Sequence, residues 1–433
     1  MRRNCDSIAA KGATWLTDFI KCFAFTGQSS EPRFHTINSE VLYEDSSFGR
    51  LPGVNDMTNR ILQFGTSRFL QAHVDFFVHD ARQQGQDIGP ITVVKTTPDA
   101  ARGGRIAAFR EAGGFPVRLR GYGSGQLVDQ TTQVTSVCNA VDANADWPRL
   151  KAIFAHETEI IVSNVGETGY DLASDEQRFS GTSENPPKSF PMKLLTLLFH
   201  RFENGGRPLL ILPCELVSNN GQVLRALILK ISQDLHHGED FRTWFDRSVI
   251  FCDTLVDRIV SEALHPIGAV GEPYGLWAIK RAPGFMEPLQ HPCIVYTDDL
   301  EPYLRLKLHI LNLGHTFLAQ IWMTEKRTPD ELVRTILKDK DVERRLSTLY
   351  EEEIIPGFMS HHMGSQAVSY VKTTLERFGN PFLDHRLSDI AQNHRYKIER
   401  RMVDFMNWVK EKKPDCTFDA LETIVATING GTK

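Results

Sequence analysis

Three polar side chains interrupt an otherwise apolar helical stretch, YLRLKLHILNLGHTFLA (Tyr303–Ala319), and their types suit one kind of chemistry. At about 100° per residue, Asn312 lies roughly 140° from Lys307 and His315 about 80° from it, so one polar arc of a buried helix can carry all three. Interconverting an alcohol and a ketone by hydride transfer needs one group to exchange the hydroxyl proton and donors for the developing oxyanion. A desolvated lysine has its charged form disfavoured, so its pKa falls towards a useful range. Asn312 and His315 can donate to the oxygen that Lys307 protonates, with no metal required. Each residue also has a plainer explanation: Lys307 snorkelling to solvent, Asn312 capping or kinking the helix, His315 satisfied in the core. Gly314 favours the chemical alternative, because a helix-interior glycine costs about 1 kcal/mol relative to alanine and marks a close approach by something else.

A second constellation lies near the start of the first convincing element. RILQF, the turn GTSR and FLQAHVDFFVHDARQQG form a strand, a tight turn and an amphipathic helix ended by glycine. In a doubly wound sheet this is where a dinucleotide pyrophosphate rests on backbone N–H groups. The turn Gly65-Thr66-Ser67-Arg68-Phe69 has one glycine for the sharp bend and Ser67 where a second glycine would be usual. One-glycine turns are also common in plain α/β folds. The next strand ends in Lys95-Thr96-Thr97, with Asp99 the nearest acid for a ribose diol. Lys95 suits a 2′-phosphate, or is a solvated strand end, so the residues leave NAD and NADP both open.

Elements that could position these groups follow in order. ITVVK, EIIVSN (Glu159–Asn164), PLLILP (Pro208–Pro213), SVIFCDTLVDRIV and HPCIVYTDDL supply strand candidates separated by helical segments. That alternation predicts βαβ units and a mostly parallel, Rossmann-like sheet with helices on both faces. After about Asp299 the pattern is helical to near the C-terminus. The expected organisation is a dinucleotide-binding domain over 57–298 and an all-α substrate-binding and catalytic domain over 299–433. Residues 1–56 read as a poorly ordered extension, with a small helix around Trp15–Phe25 as the alternative and an upstream start codon as a further explanation. A chain that starts at Met57 is therefore expected to fold and keep full activity. Insolubility, or melting many degrees lower, would show the extension to be structural.

The 433 residues are 41% hydrophobic and 24% charged, an ordinary globular composition. A net charge of −5 without a basic stripe gives no nucleic-acid footprint. Seven scattered cysteines without Cys-x-x-Cys argue against a disulfide framework or structural zinc and favour a reducing cytoplasm. No run of about 18 apolar residues could span a membrane. The expected partner is a small molecule, and the expected state a monomer or small homo-oligomer.

The spacing in KLHILNLGH, lysine then asparagine five residues on and histidine eight residues on, resembles the signature of the polyol-specific long-chain dehydrogenases, the mannitol dehydrogenase family. The likeness is strongest to its hexuronate reductases, which interconvert tagaturonate with altronate or fructuronate with mannonate. ILQFGTSRFLQAHVD, VSNVGETGY, PMKLLTLLFHRF, LPCELVSNNG, FCDTLVDRIV, EEIIP and RFGNPFLDHRLSDIAQN match in the family's order, from about Arg60 to Arg401. The resemblance implies Lys307 as general acid/base, Asn312 as oxyanion donor and His315 as holder of the reacting oxygen. It implies Gly65, Thr66, Ser67 and Phe69 along the pyrophosphate of NAD, with Asn164 near its ribose or nicotinamide. Asp257, Arg377, Asn380, His385 and Lys397 would face the substrate, with Arg377, Lys397 and Arg401 the cations for a uronate carboxylate. The plainer alternatives are a structural ion pair of Asp257 with Arg258 and a solvated helix face for Lys397 and Arg401. Ser67 departs from the family's Gly-x-Gly. Cys214-Glu215-Leu216 departs from the Cys-Asp-Asn of mannitol dehydrogenases and matches the hexuronate reductases. A C-terminal domain shorter than is common implies a reduced lid. A neutral-polyol dehydrogenase and a non-catalytic NAD-binding module are the rival functions, and the intact lysine–asparagine–histidine set speaks against the module.

Overall fold

The computed structural model describes residues 59–97, 103–111, 113–166, 169–173, 176 and 185–430. The expected N-terminal extension, its alternative helix and Asp99 lie outside the described residues.

Thirteen strands occur among the described residues: β1 Asn59–Phe64, β2 Ile88–Lys95, β3 Phe115–Gly123, β4 Gln126–Val134, β5 Val137–Asp142, β6 Ile160–Ser163, β7 Leu209–Pro213, β8 Val249–Phe251, β9 Thr254–Asp257, β10 Val260–Ala263, β11 Ala269–Gly271, β12 Leu276–Lys280 and β13 Ile294–Thr297. Six form one sheet in the order β5-β2-β1-β6-β7-β8, and every neighbouring pair is parallel. Counted along that sheet alone, the order is the doubly wound 3-2-1-4-5-6, whose switch point falls between β1 and β6.

The short apolar strands form because both faces of this sheet are covered. Alternate residues feed opposite cores: Ile61, Val93 and Val162 pack on one side, Leu62, Val94 and Ile161 on the other. The helix after β1 is broken where one continuous helix was expected. Arg68–Ala72 and Val74–Gln83 are separate, joined at His73, whose fully buried imidazole Nε2 meets the Leu276 carbonyl oxygen at 3.0 Å.

Two smaller sheets flank the main one. The β3–β4 hairpin, closed by Ser124 and Gly125 at positive φ, joins β11 and β10 in the order β10-β11-β3-β4. Strand β9 runs on from β8 into a three-stranded sheet, β13-β12-β9, and carries Asp257 at its end.

Beyond Thr297 the described residues are helical, apart from an isolated bridge between Leu332 and Arg386. Leu306, Ile310, Phe317, Leu346, Phe358 and Phe405 share one apolar core there. Three helices each contain one wide turn with i→i+5 bonding: Lys307–Asn312, Leu349–Ile354 and Glu399–Val403. No helix among the described residues is long and apolar enough to cross a membrane.

Candidate active site

The carboxyl ends of β1, β2 and β6 enclose a cleft lined by Gly65, Thr66, Ser67, Lys95, Asn164 and Val165, among others. Gly65 has φ 125°, and a Cβ there would sit 2.6 Å from the Asn164 carbonyl oxygen. Only glycine fits this crossing of the β1 and β6 ends. Ser67 begins the next helix, and its Oγ accepts from the Leu70 N–H at 3.3 Å. One donor of the first turn is thus capped internally, whereas helix geometry leaves the others without intrahelical partners. Asn164 donates its side-chain amide to the Cys214 carbonyl at 2.8 Å, fixing the end of β6 against that of β7. These residues fit a dinucleotide: a glycine at the tight turn, a helix start beside it, and a switch-point cleft.

Phe69 and Lys95 do other work. The Phe69 ring stacks on His73 at 4.8 Å and packs against the core. Lys95 is neither a solvated strand end nor a free cation for a 2′-phosphate. It is 4% exposed and its Nζ donates to Asp142 Oδ2 at 2.7 Å, across the β2–β5 register. With its charge paired, nothing in Lys95 favours NADP.

The helix Glu301–Leu306 continues through the wide turn Lys307–Asn312 into Leu313–Thr324. This corrects the angular relation expected from 100° per residue. In a turn closing i→i+5, residue i+5 stands over residue i, much as i+4 does in an α-helix. Asn312 therefore shares a face with Lys307, and His315, three residues on in ordinary α-helix, stays on that face. Lys307 Nζ donates to the Val256 carbonyl at 2.8 Å and lies 3.9 Å from Asp257 Oδ1, so it meets the end of β9. Its side chain is 17% exposed. Burial lowers its pKa, Asp257 opposes this, and Arg377 and Arg401 add to the lowering. Burial also holds His315 well below the usual histidine range, helped by His385 and by the charges of Arg377, Arg401 and Lys397. The imidazole is therefore neutral, packed 4.4 Å from the Phe378 ring and 4.7 Å from His385.

Two of the substrate-facing expectations are corrected. Arg377 is buried, and its guanidinium is spent within the protein. It donates to both oxygens of Asp257 at 3.0 Å and to both of Glu272 at 2.8 and 3.0 Å. Asp257 takes a further bond from the Tyr370 hydroxyl at 2.9 Å. Asp257 thus pairs with Arg377, not with Arg258, whose donors go to the carbonyls of Ala72, Pro273 and Tyr274. Asn380 is likewise occupied: its amide donates to the Arg120 carbonyl at 3.0 Å and its oxygen accepts from the Phe382 N–H. Arg377 and Asn380 hold the helical region against β9, β11 and β3; every Arg377 N–H is taken within the protein, and the Asn380 side chain is anchored through one N–H and its oxygen.

Arg377 cannot fully neutralise two carboxylates. Burial raises both, but Arg377 and Lys307 together outweigh it at Asp257 and hold that group at about 2. Glu272, with Arg377 but not Lys307 opposing its burial, stays raised. Glu272 and Tyr370 were missed in the sequence, where nothing local in GEPYG or AVSYV marks them.

His385 stands beside His315 with a buried, unpartnered Nδ1. Lys397 Nζ donates to the Ile390 carbonyl at 2.7 Å, and Arg401 donates to the Asn312 carbonyl at 3.0 Å and the Thr316 hydroxyl at 2.9 Å. Among the described residues neither cation has a carboxylate within 4.0 Å. Burial lowers the pKa of both, Arg401 to about 10.

Comparison with known proteins agrees with this architecture. The model of the mannitol dehydrogenase Rossmann domain matches residues 59–288, and that of the mannitol dehydrogenase C-terminal domain matches 299–429. An altronate oxidoreductase of Halalkalibacterium halodurans is 30% identical over 402 residues, covering 87% of this chain and 75% of its own. One from Bacillus subtilis is 28% identical over 380 residues, with 82% and 76% covered. Among solved structures, Pseudomonas fluorescens mannitol 2-dehydrogenase in ternary complex with NAD and D-mannitol superposes with a TM-score of 0.64 at 18% identity, covering 86% of this chain and 78% of that one. A D-sorbitol dehydrogenase gives 0.68 at 18% identity, with 82% and 76% covered. These structural likenesses show the fold.

Proposed function

Because the chain belongs to the mannitol dehydrogenase family, we propose that it is an NAD-dependent enzyme interconverting a keto-sugar acid and its hydroxy acid, of the tagaturonate/altronate or fructuronate/mannonate type. At the coarser level it is a dehydrogenase acting on a CH–OH group of a sugar acid or polyol. NAD, when bound, supplies the hydride acceptor, and Gly65, Thr66, Ser67 and Asn164 are the residues that would hold it.

The remaining steps belong to side chains. In oxidation, neutral Lys307 takes the hydroxyl proton on Nζ; in reduction, the ammonium returns it to the carbonyl oxygen. The Asn312 amide donates to the oxyanion that develops, and neutral His315 supplies one further N–H to the same oxygen. The Val256 carbonyl and Asp257 orient the ammonium, while Arg377, pairing with Asp257, keeps that carboxylate from claiming the lysine outright.

One observation supports a sugar acid over a neutral polyol: Lys397 and Arg401, both near enough to depress His315, lack any carboxylate partner among the described residues. A substrate carboxylate would complete them. Lys397→Met is expected to raise KM for the uronate roughly 10- to 100-fold, as for a charge-assisted pair of about 1.5–3 kcal/mol, and to change KM for a neutral ketose little. Arg401→Met should show the same bias. Steady-state assays against tagaturonate, fructuronate and fructose test this. Equal losses on charged and neutral substrates, or best turnover of fructose by the unaltered enzyme, would make the polyol reading the correct one. The paired Lys95 sets a companion expectation: NADH should give the higher kcat/KM, and a preference for NADPH would count against this account of the cleft.

A further inference from the structure

The wide turn Lys307–Asn312 needs a physical cause, since i→i+5 bonding is rare and single such turns tend to occur at functional sites. An ordinary α-helix over the same residues would swing Asn312 roughly 140° away from Lys307. Something outside the helix must favour the wide form. The Tyr350 hydroxyl donates to the Ile310 carbonyl, inside this turn, at 3.0 Å. It reaches that carbonyl past Gly314, where a Cβ would lie 2.0 Å from the Tyr350 oxygen. Any other residue at 314 would collide with it. Burial pushes the phenol up, so it remains a donor at every working pH.

Tyr350 itself stands in the wide turn Leu349–Ile354, and the third wide turn, Glu399–Val403, closes the group. Arg401 donates from that turn to the Asn312 carbonyl, and the His309 Nδ1 meets the Arg401 carbonyl at 3.0 Å. The other two turns therefore each hold the segment that carries Lys307 and Asn312, through its Ile310 and Asn312 carbonyls.

We infer that Tyr350 is a positioning residue for proton exchange, its hydroxyl holding the Lys307–Asn312 turn wide, with Gly314 as the slot that admits it. This rests on the reading of Lys307 as the acid/base. Tyr350 touches neither substrate nor cofactor and acts through the backbone at Ile310.

The test removes only the hydroxyl. Tyr350→Phe should lower kcat about 10- to 100-fold, the scale of a small misplacement of a catalytic group. KM for the sugar acid and NADH affinity should change less than about twofold, because the groups that bind them are untouched. Gly314→Ala should lower kcat at least as much by displacing the hydroxyl. The double variant should lose less than the product of the two single losses, since the atom that the new methyl strikes hardest is gone, leaving the Tyr350 Cζ and Phe378 Cε2 contacts at 3.1 Å. Normal kcat in Tyr350→Phe overturns the inference. So does a lowered melting point with unchanged kcat, or losses that multiply in the double variant, either of which would make the contact a packing feature only. If Gly314→Ala does not fold, Tyr350→Phe still decides. Lys307→Ala measured alongside separates the two failures: an active Lys307→Ala sinks the functional reading, whereas an inactive one beside a normal Tyr350→Phe sinks only this inference.

Discussion

Lys307→Ala is expected to remove at least about 10²–10⁴-fold of kcat in both directions, the usual contribution of general acid/base catalysis. Cofactor affinity, followed by fluorescence, should stay nearly unchanged, because the proposed role of the lysine is on the substrate oxygen, and its Nζ meets the Val256 carbonyl and is not among the residues lining the cleft of Gly65 and Asn164. The pH dependence gives the sharper check. Burial lowers the Lys307 pKa from its ordinary value, so titration falls below the usual lysine range. Reduction requires the ammonium and should decline as pH rises through that pKa; oxidation requires the amine and should increase over the same interval. Both trends should vanish in Lys307→Ala. Asn312→Ala should keep them and lose only kcat, because the proposed role of the amide is to stabilise charge by donating a hydrogen bond, without titrating or exchanging a proton with the substrate. Near-normal turnover by Lys307→Ala would leave the lysine a snorkelling residue and the mechanism wrong.

The fold and the chemistry left different kinds of trace in the sequence. The main strands could be read because parallel strands covered on both faces are continuous apolar runs, each stopped by polar or proline residues. The β3–β4 hairpin could not, because β4 reads QLVDQTTQV and lies mostly exposed at a sheet edge. Lys307, Asn312 and His315 stood out as polar residues within an apolar helix, but α-helical spacing misplaced Asn312. The wide turn that corrects it is braced by Tyr350, forty residues on. Arg377 and Asn380 were also conspicuous, and their use was misread. The carboxylates that consume Arg377 stand 120 and 105 residues before it. No local pattern says whether a buried guanidinium is already paired, whereas Lys397 and Arg401 remain open candidates because no carboxylate among the described residues lies within 4.0 Å of either.

Arg377→Met should be the most destabilising single change near the site. Removing one partner of a buried ion pair leaves uncompensated charge and typically costs about 3–5 kcal/mol; here one methionine would leave two carboxylates, Asp257 and Glu272, without their shared cation. In the intact protein Asp257 is held at about 2, below the roughly 3.9 of an unfolded aspartate. Its stabilising contribution is therefore present above about pH 4 and lost as pH falls through the folded value. Without Arg377, burial dominates and raises the folded pKa. The penalty should then be largest near neutral pH and shrink in mild acid, where Asp257 is protonated in the variant. Urea unfolding midpoints at about pH 7 and pH 4 would resolve this. A second consequence reaches the lysine. Arg377 lowers the Lys307 pKa while Asp257 raises it, so removing the guanidinium should move the titration upward, letting reduction persist to higher pH and delaying the rise of oxidation. A variant equally stable at both pH values, with an unshifted pH profile, would mean that the Arg377 network neither carries the domain junction nor tunes the lysine.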